Sequence, residues 1–259
     1  MKDEIRTHLQ DIERQEQVRI LYACESGSRA WGFASSDSDY DVRFTYLHPR
    51  DWYLSVNLEK KRDVIERPIV DALDITGWDL RKALQLFRKS NPPLLEWLGS
   101  PIVYLEKYDV IANIKQLASQ YYSPTACAYH YLHMAQGNYR DYLKGPEVWL
   151  KKYFYILRPI LAINWIEQGL GVVPMEFGVL VDHLITSPEL KNAINKLLAD
   201  KRQGKELDRG LRIAPISDFI DSELQRLDAK EIKYPKPSSP IEELNAIFRE
   251  ALNVVWQSE

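Results

Sequence analysis

Asp39 and Asp41 form an acid-x-acid pair, and ten residues separate it from a Gly-Ser pair, Gly27 and Ser28, all within the stretch SGSRAWGFASSDSDYDVR. Around the acids the sequence alternates. Asp39, Asp41, Arg43 and Thr45 fall on one side, Tyr40, Val42, Phe44 and Tyr46 on the other. That period of two predicts a half-buried strand. Two carboxylates two residues apart on a strand point the same way, and such a pair is costly to ionise unless a cation sits between them. Hard oxygen ligands on a rigid strand suit Mg²⁺, or Mn²⁺ in its place, bound through one or two carboxylates together with substrate phosphates. The Gly-Ser turn can bring backbone N–H groups and a hydroxyl against phosphate oxygens. The pattern points to phosphoryl-type chemistry.

The elements that would position these groups can be traced along the chain. Ile5, Leu9 and Ile12 at helical spacing predict an opening helix over 2–17, and the apolar run 18–25 a buried strand. A Ser- and Gly-rich turn over 26–38 carries Ala30, Trp31 and Phe33 as apolar anchors before the acid-bearing strand at 40–46. His48-Pro49-Arg50 breaks that strand. A short helix at 49–57, a hairpin strand at 60–67 and a third strand at 69–75 are expected next. Thr76 has the character of an N-cap, with Asp79 three residues on. The helix that follows buries Leu80, Ala83, Leu84 and Phe87 and ends at Asn91-Pro92-Pro93. After a helical turn at 94–98, residues 102–105 return to the sheet or cover it. From about residue 108 long helical patterns dominate, and only 169–174 looks extended. The expected class is α+β: a first domain over 1–106, with a mixed or antiparallel sheet flanked by helices, and an all-α domain over 107–259.

The G-S-x10-D-x-D pattern resembles the signature of the DNA polymerase β-like nucleotidyltransferase superfamily. The wider stretches ESGSRAWGFASSDSDYDVRF, DALDITGWDLRKAL and NPPLLEWLGSPIVY are similar to a bacterial and phage branch linked by genomic association with RNA repair. The superfamily resemblance covers about the first hundred residues, and that to the branch most of the chain. It implies transfer of an NMP unit from an NTP, ATP first among them, to an acceptor hydroxyl with release of pyrophosphate. In such a scheme Asp39 and Asp41 hold metal and a third acid stands on a neighbouring strand. Asp71 and Asp74, three apart on one expected strand and so on opposite faces, are the candidates. Asp74, which shares its face with Val70 and Ala72 and lies just before the capped helix, is favoured, and the resemblance also points to it as the acid of ALDITGWDL. Gly27 and Ser28 would meet the β- and γ-phosphates. Arg29 and Arg43 are candidates for phosphate charge, with inter-strand salt bridges as the competing reading. In two-domain relatives a basic helix of the second domain faces the nucleotide, which makes Lys152 and Tyr153 candidate nucleotide contacts. Otherwise they belong to an amphipathic core helix whose basic edge also carries Lys151 and Arg158. The acceptor is open between an RNA end, a protein side chain and a small molecule. An inactive nucleotide- or partner-binding scaffold is the reading from another class.

Composition narrows the remainder. The chain has 259 residues, is 45% hydrophobic and 27% charged, and has a net charge of −3, which rules out a globally basic nucleic-acid binder but not a local basic groove. Cys24 and Cys127 lack metal-binding spacing and read as small buried hydrophobes. His130 and His133 would need a third ligand to hold a metal. The run with Lys201, Arg202, Lys205, Arg209 and Arg212 could track an RNA backbone or form a solvated face. Without an apolar leader or a membrane-length apolar run, a cytoplasmic protein with no membrane partner is expected.

Overall fold

The computed structural model describes residues 1–204 and 207–256. Arg19–Ser26 (β1) is buried along nearly its whole length, as a strand covered on both faces requires. Its neighbours are Tyr40–Leu47 (β2) and Val103–Glu106 (β5), both antiparallel to it. Val64–Glu66 (β3) and Leu73–Asp79 (β4) complete a mixed sheet of order β3-β4-β2-β1-β5, in which β2 and β4 run parallel. The helix Lys2–Glu16 lays Ile5, Leu9 and Ile12 into a core that holds Val42, Phe44, Tyr46 and Ile75. Alternation along β2 therefore turns Asp41 and Arg43 to the opposite face. Gly77 sits opposite Phe44 in the β2–β4 ladder, and a Cβ there would stand 2.2 Å from the Phe44 ring.

The third strand begins and ends later than the alternation suggests. Thr76 lies inside β4, and the N-cap of the helix Leu80–Arg88 is Asp79, whose Oδ1 accepts the Arg81 N–H at 2.8 Å. Asp71 and Ala72 are not on a strand. With φ of 47° and 63° they form the turn between Val70 and Leu73, closed by the Leu73 N–H on the Val70 carbonyl at 2.9 Å. Two consecutive positive φ angles are the mark of a type I′ hairpin turn, which favours Gly at its second position. Ala72 carries a Cβ where none is wanted. Ala72→Gly is expected to stabilise the protein by about 0.5–1 kcal/mol, as relieved strain outweighs the added chain entropy of glycine. A lower urea midpoint in the variant would contradict this.

Asp79 has a second consequence. It is buried, accepts the Tyr53 hydroxyl at 2.6 Å, and burial pushes its carboxyl up to about 6. Its folded pKa exceeds the unfolded one, so the native state keeps the proton longer. The associated stability is complete below the ordinary aspartate pKa near 4 and is lost as pH rises through about 6. Urea midpoints should fall between pH 4 and pH 7 by an amount that Asp79→Asn removes. An unchanged pH profile in that variant would place the proton elsewhere.

The chain divides into two compact units. The first joins 1–30, 39–121 and 237–259, and the second joins 31–38 and 122–236. The change of character near residue 106 thus falls inside the first unit, which runs on to Tyr121 and regains the chain at Pro237 through the helix Ile241–Trp256. In the second unit the helix Lys152–Glu167 is buried on nearly every side, and Phe33 stacks on its Phe154 at 4.8 Å. Phe177 closes on Phe33 edge-on at 5.7 Å, and its N–H donates to the Trp31 carbonyl at 2.9 Å. Among the described residues the unit is helical apart from a two-stranded antiparallel sheet, Glu147–Trp149 (β6) with Arg209–Leu211 (β7), whose strands are far apart in sequence. No strand forms at 169–174. Among the described residues no helix is long and apolar enough to cross a membrane.

Candidate active site

Parallel pairing of β2 with β4 puts Asp41 directly opposite Asp74. Arg43, two residues on and on the same face, lies between the two acids. Its guanidinium is 2.7 Å from Asp74 Oδ2 and 3.3 Å from Asp41 Oδ1, and it also donates to the Asp74 carbonyl at 3.1 Å. Burial raises the Asp41 carboxyl above its ordinary value; Arg43 pulls it down, and Asp74 and Asp39 push it up again. The arrangement is a pair of partly buried carboxylates converging on one cationic group. Arg43 fills the role of inter-strand salt bridge.

Gly27 packs against this pair. It opens the single helical turn Gly27–Ala30 directly after β1 with φ +64°, and a Cβ built on it would stand 2.2 Å from Asp41 Oδ2. Only glycine suits both the backbone conformation and the close approach. Ser28 and Arg29 occupy the same turn. Among the described residues the Ser28 hydroxyl has no hydrogen-bond partner, so it remains available to a ligand. Arg29 lies over the Tyr40 ring at 3.7 Å and donates from Nε to the Asp39 carbonyl at 3.1 Å, tying the turn to the start of β2. Asp39 itself is exposed, one residue before the strand.

One residue of the site escaped the sequence reading. Glu25 is fully buried at the end of β1, accepts the Asp41 N–H at 2.8 Å through Oε1, and takes the Tyr104 hydroxyl on Oε2. Burial raises its carboxyl, against the lowering effect of those two hydrogen bonds. Ser100 Oγ adds a bond of 2.6 Å to its carbonyl. Glu25 thereby fixes the backbone that carries Asp41. The available signal was one acid at the end of the apolar run ILYAC, immediately before the Gly-Ser turn.

Several residues expected to contact the nucleotide have other partners. Tyr153 is fully buried, with its hydroxyl bonded to Ser217 Oγ at 2.6 Å and to the Ile213 N–H at 3.1 Å; this corrects its placement among nucleotide contacts. Lys152 rests on the rings of Tyr142 and Tyr155 at 4.2 and 5.0 Å, and Arg158 is buried over Trp31. Asp71 is out in the hairpin turn, while Cys24 and Cys127 are buried. The basic run is largely spoken for: Lys201 is buried near Phe33, Arg202 donates to the Gly32 carbonyl at 2.7 Å, and Arg212 pairs with Asp221 at 2.6 Å. Lys205 lies outside the described residues.

Asp41 and Asp74 are hard oxygen donors of the kind Mg²⁺ takes with few protein ligands, although the Arg43 guanidinium stands between them. Among the described residues no group of three or more His, Cys, Asp or Glu side chains is arranged to hold a metal, so any ion would rest on this pair with Asp39 nearby.

A Gly-Ser turn packed on the first acid of two adjoining strands, in an α+β unit, is the arrangement of polymerase β-like nucleotidyltransferases. The chain belongs to the RNA repair pathway DNA polymerase beta family (RlaP), which it matches over residues 1–250. It is 51% identical over 259 residues to YcgL of Bacillus subtilis (strain 168), covering 99% of this chain and 98% of that one. Among solved structures it is similar to a nucleotidyltransferase-like protein from Exiguobacterium sibiricum 255-15, at 10% identity and a TM-score of 0.32, over 99% of this chain and 89% of the other.

Proposed function

We propose that the protein transfers an NMP unit from an NTP, ATP first among them, to the terminal hydroxyl of an RNA. In this reaction the acceptor oxygen bonds to the α-phosphorus, the bond from that phosphorus to the β-bridging oxygen breaks, pyrophosphate leaves, and the acceptor proton passes to solvent. The observation that carries the reading is the Asp41–Asp74 pair in register across β2 and β4, with Gly27 against it. Asp39, Asp41 and Asp74 would hold Mg²⁺ or Mn²⁺, which when bound activates the attacking oxygen and stabilises the leaving one. Gly27 leaves room for phosphate oxygens beside the Asp41 carboxylate, and the Ser28 hydroxyl donates to them. Arg43, paired with both acids, holds the two carboxylates toward one point. Arg29 orients the turn. The RNA acceptor is supported by the family's description, which names RNA repair. A cytoplasmic location fits such a substrate.

The test is label transfer from each common NTP, labelled at the α-phosphate, into a mixed RNA pool with Mg²⁺ or Mn²⁺, using wild-type protein beside Asp39→Asn. Label on RNA that depends on Asp39 is the expected result. Label on protein, or pyrophosphate release with a small-molecule acceptor alone, would move the acceptor to another class. Nucleotide binding without pyrophosphate release would mark an inactive scaffold.

A further inference from the structure

A cavity of about 400 Å³ opens in the first unit between residues 50–58 and the helix Ile241–Trp256. Its wall is apolar: Tyr53 and Phe248 meet edge to face at 5.0 Å, Leu252 lies beside them, and Leu54 is 70% exposed. Arg50, Arg81 and Arg249 surround this apolar patch, and no acidic side chain lines the cavity. Among the described residues none of the three has a carboxylate within ion-pair distance, and Arg81 alone feels a nearby acid, the buried Asp79. The cavity beside Tyr46 and His48 differs, because there Arg62 pairs with Glu66 and Arg67 with Glu16. In a chain of net charge −3, three guanidinium groups at one opening, with no acid in its lining, concentrate positive charge against an apolar surface.

That combination selects its ligand. Guanidinium groups suit phosphate oxygens, often by paired N–H bonds. An apolar wall with an aromatic ring suits the face of a base. The Asn253 side chain, also in the lining, offers a donor and an acceptor to a base edge. The volume falls in the range of pockets for small ligands. The position is remote from the acids: Asp79, two residues before Arg81, is five residues along β4 from Asp74, about 16 Å at the rise of a strand.

We propose that this cavity is a second, non-catalytic nucleotide site, which holds one base of the RNA strand against Phe248 and Leu252 and its neighbouring phosphates at Arg50, Arg81 and Arg249. The strand as occupant rests on the RNA acceptor proposed above, whereas the base-and-phosphate chemistry rests on the cavity alone. A free nucleotide would offer the same chemistry, so the experiment separates the two sources.

Full-length protein would be titrated into a fluorescently labelled single-stranded RNA of mixed sequence and followed by anisotropy over a range of salt. The variants are Arg81→Ala/Arg249→Ala and, as a charge-matched control, Lys233→Ala/Lys236→Ala. The pocket variant is expected to weaken RNA binding at least tenfold and to lower the salt slope by about 1.4, from two phosphate contacts at about 0.7 each. The control should change affinity no more than twofold. Equal effects of the two variants, or none, would overturn the proposal. A second arm measures free ATP binding by equilibrium dialysis. If ATP binding falls and RNA binding does not, the strand is the wrong occupant. Pocket-dependent RNA binding with no label transfer to RNA would sink the proposed reaction and leave this site standing.

Discussion

Asp41→Asn protein is expected to be at least as stable as the wild type and yet to release pyrophosphate on the order of a thousandfold more slowly. The stability half follows from the electrostatics. Asp41 is a partly buried carboxylate whose charged form is disfavoured by burial and by Asp74 and Asp39 beside it. Neutralising it removes that cost and leaves Arg43 paired with Asp74 at 2.7 Å. The amide keeps the shape of the carboxylate beside Gly27. The activity half follows from the charge that a bound Mg²⁺ needs. A thousandfold corresponds to about 4 kcal/mol of transition-state stabilisation, at about 1.4 kcal/mol per factor of ten. Urea midpoint and initial rate on the same preparation decide it. A fall in both would make the acid a structural member of the sheet, and an unchanged rate would remove it from the reaction. Asp74→Asn should be comparably slow, and Asp71→Asn should retain activity because Asp71 sits in the hairpin turn.

Gly27→Ala should lose both fold stability and activity. The backbone there is left-handed at φ +64°, and the new methyl would stand 2.2 Å from Asp41 Oδ2. Left-handed backbone costs a non-glycine residue about 1–2 kcal/mol. The carboxylate must also move away, and a displacement of about 1 Å at a reacting centre can cost a hundredfold in rate. Gly32→Ala supplies the comparison. It has φ +86° but nothing within 4 Å of its Cβ position, so it carries the backbone strain alone. Gly27→Ala with rates like those of Gly32→Ala would mean that the glycine serves only the turn.

The parts of this site that were legible from the chain are those written in local pattern. The opening helix, β1, β2 and the Gly-Ser turn each rest on a periodicity or a turn residue within a dozen positions. The face argument for Asp74 over Asp71 assumed one strand through both, whereas Asp71 and Ala72 turn out of it, and the register of Asp74 with Asp41 is a long-range pairing that no local pattern shows. Thr76-Gly77-Trp78-Asp79 imitates a helix start, since Thr and Asp both cap helices. The parallel ladder to β2 extends the strand through it, and Gly77 is needed there to clear Phe44. Glu25 was hidden because its partners, Tyr104 and the Asp41 amide, lie 79 and 16 residues away. Tyr153 has the same apolar-basic helix context whether its hydroxyl meets a ligand or Ser217. Three-residue strands such as β6 and β7 are too short to show alternation.

The way the chain weaves between its two units sets the order in which the protein can be completed during synthesis. Residues 1–121 carry the whole five-stranded sheet, but the helix Ile241–Trp256 that belongs to the same unit follows only after the 115 residues of 122–236. At ribosomal speeds of about 5–20 residues per second that interval is roughly 6–25 s. During it the sheet stands without its final helix, and the surface that will receive Leu244, Ala251 and Val255 is open to water and to other chains. In a nascent chain stalled within that window, that uncovered apolar surface adds to the risk of aggregation.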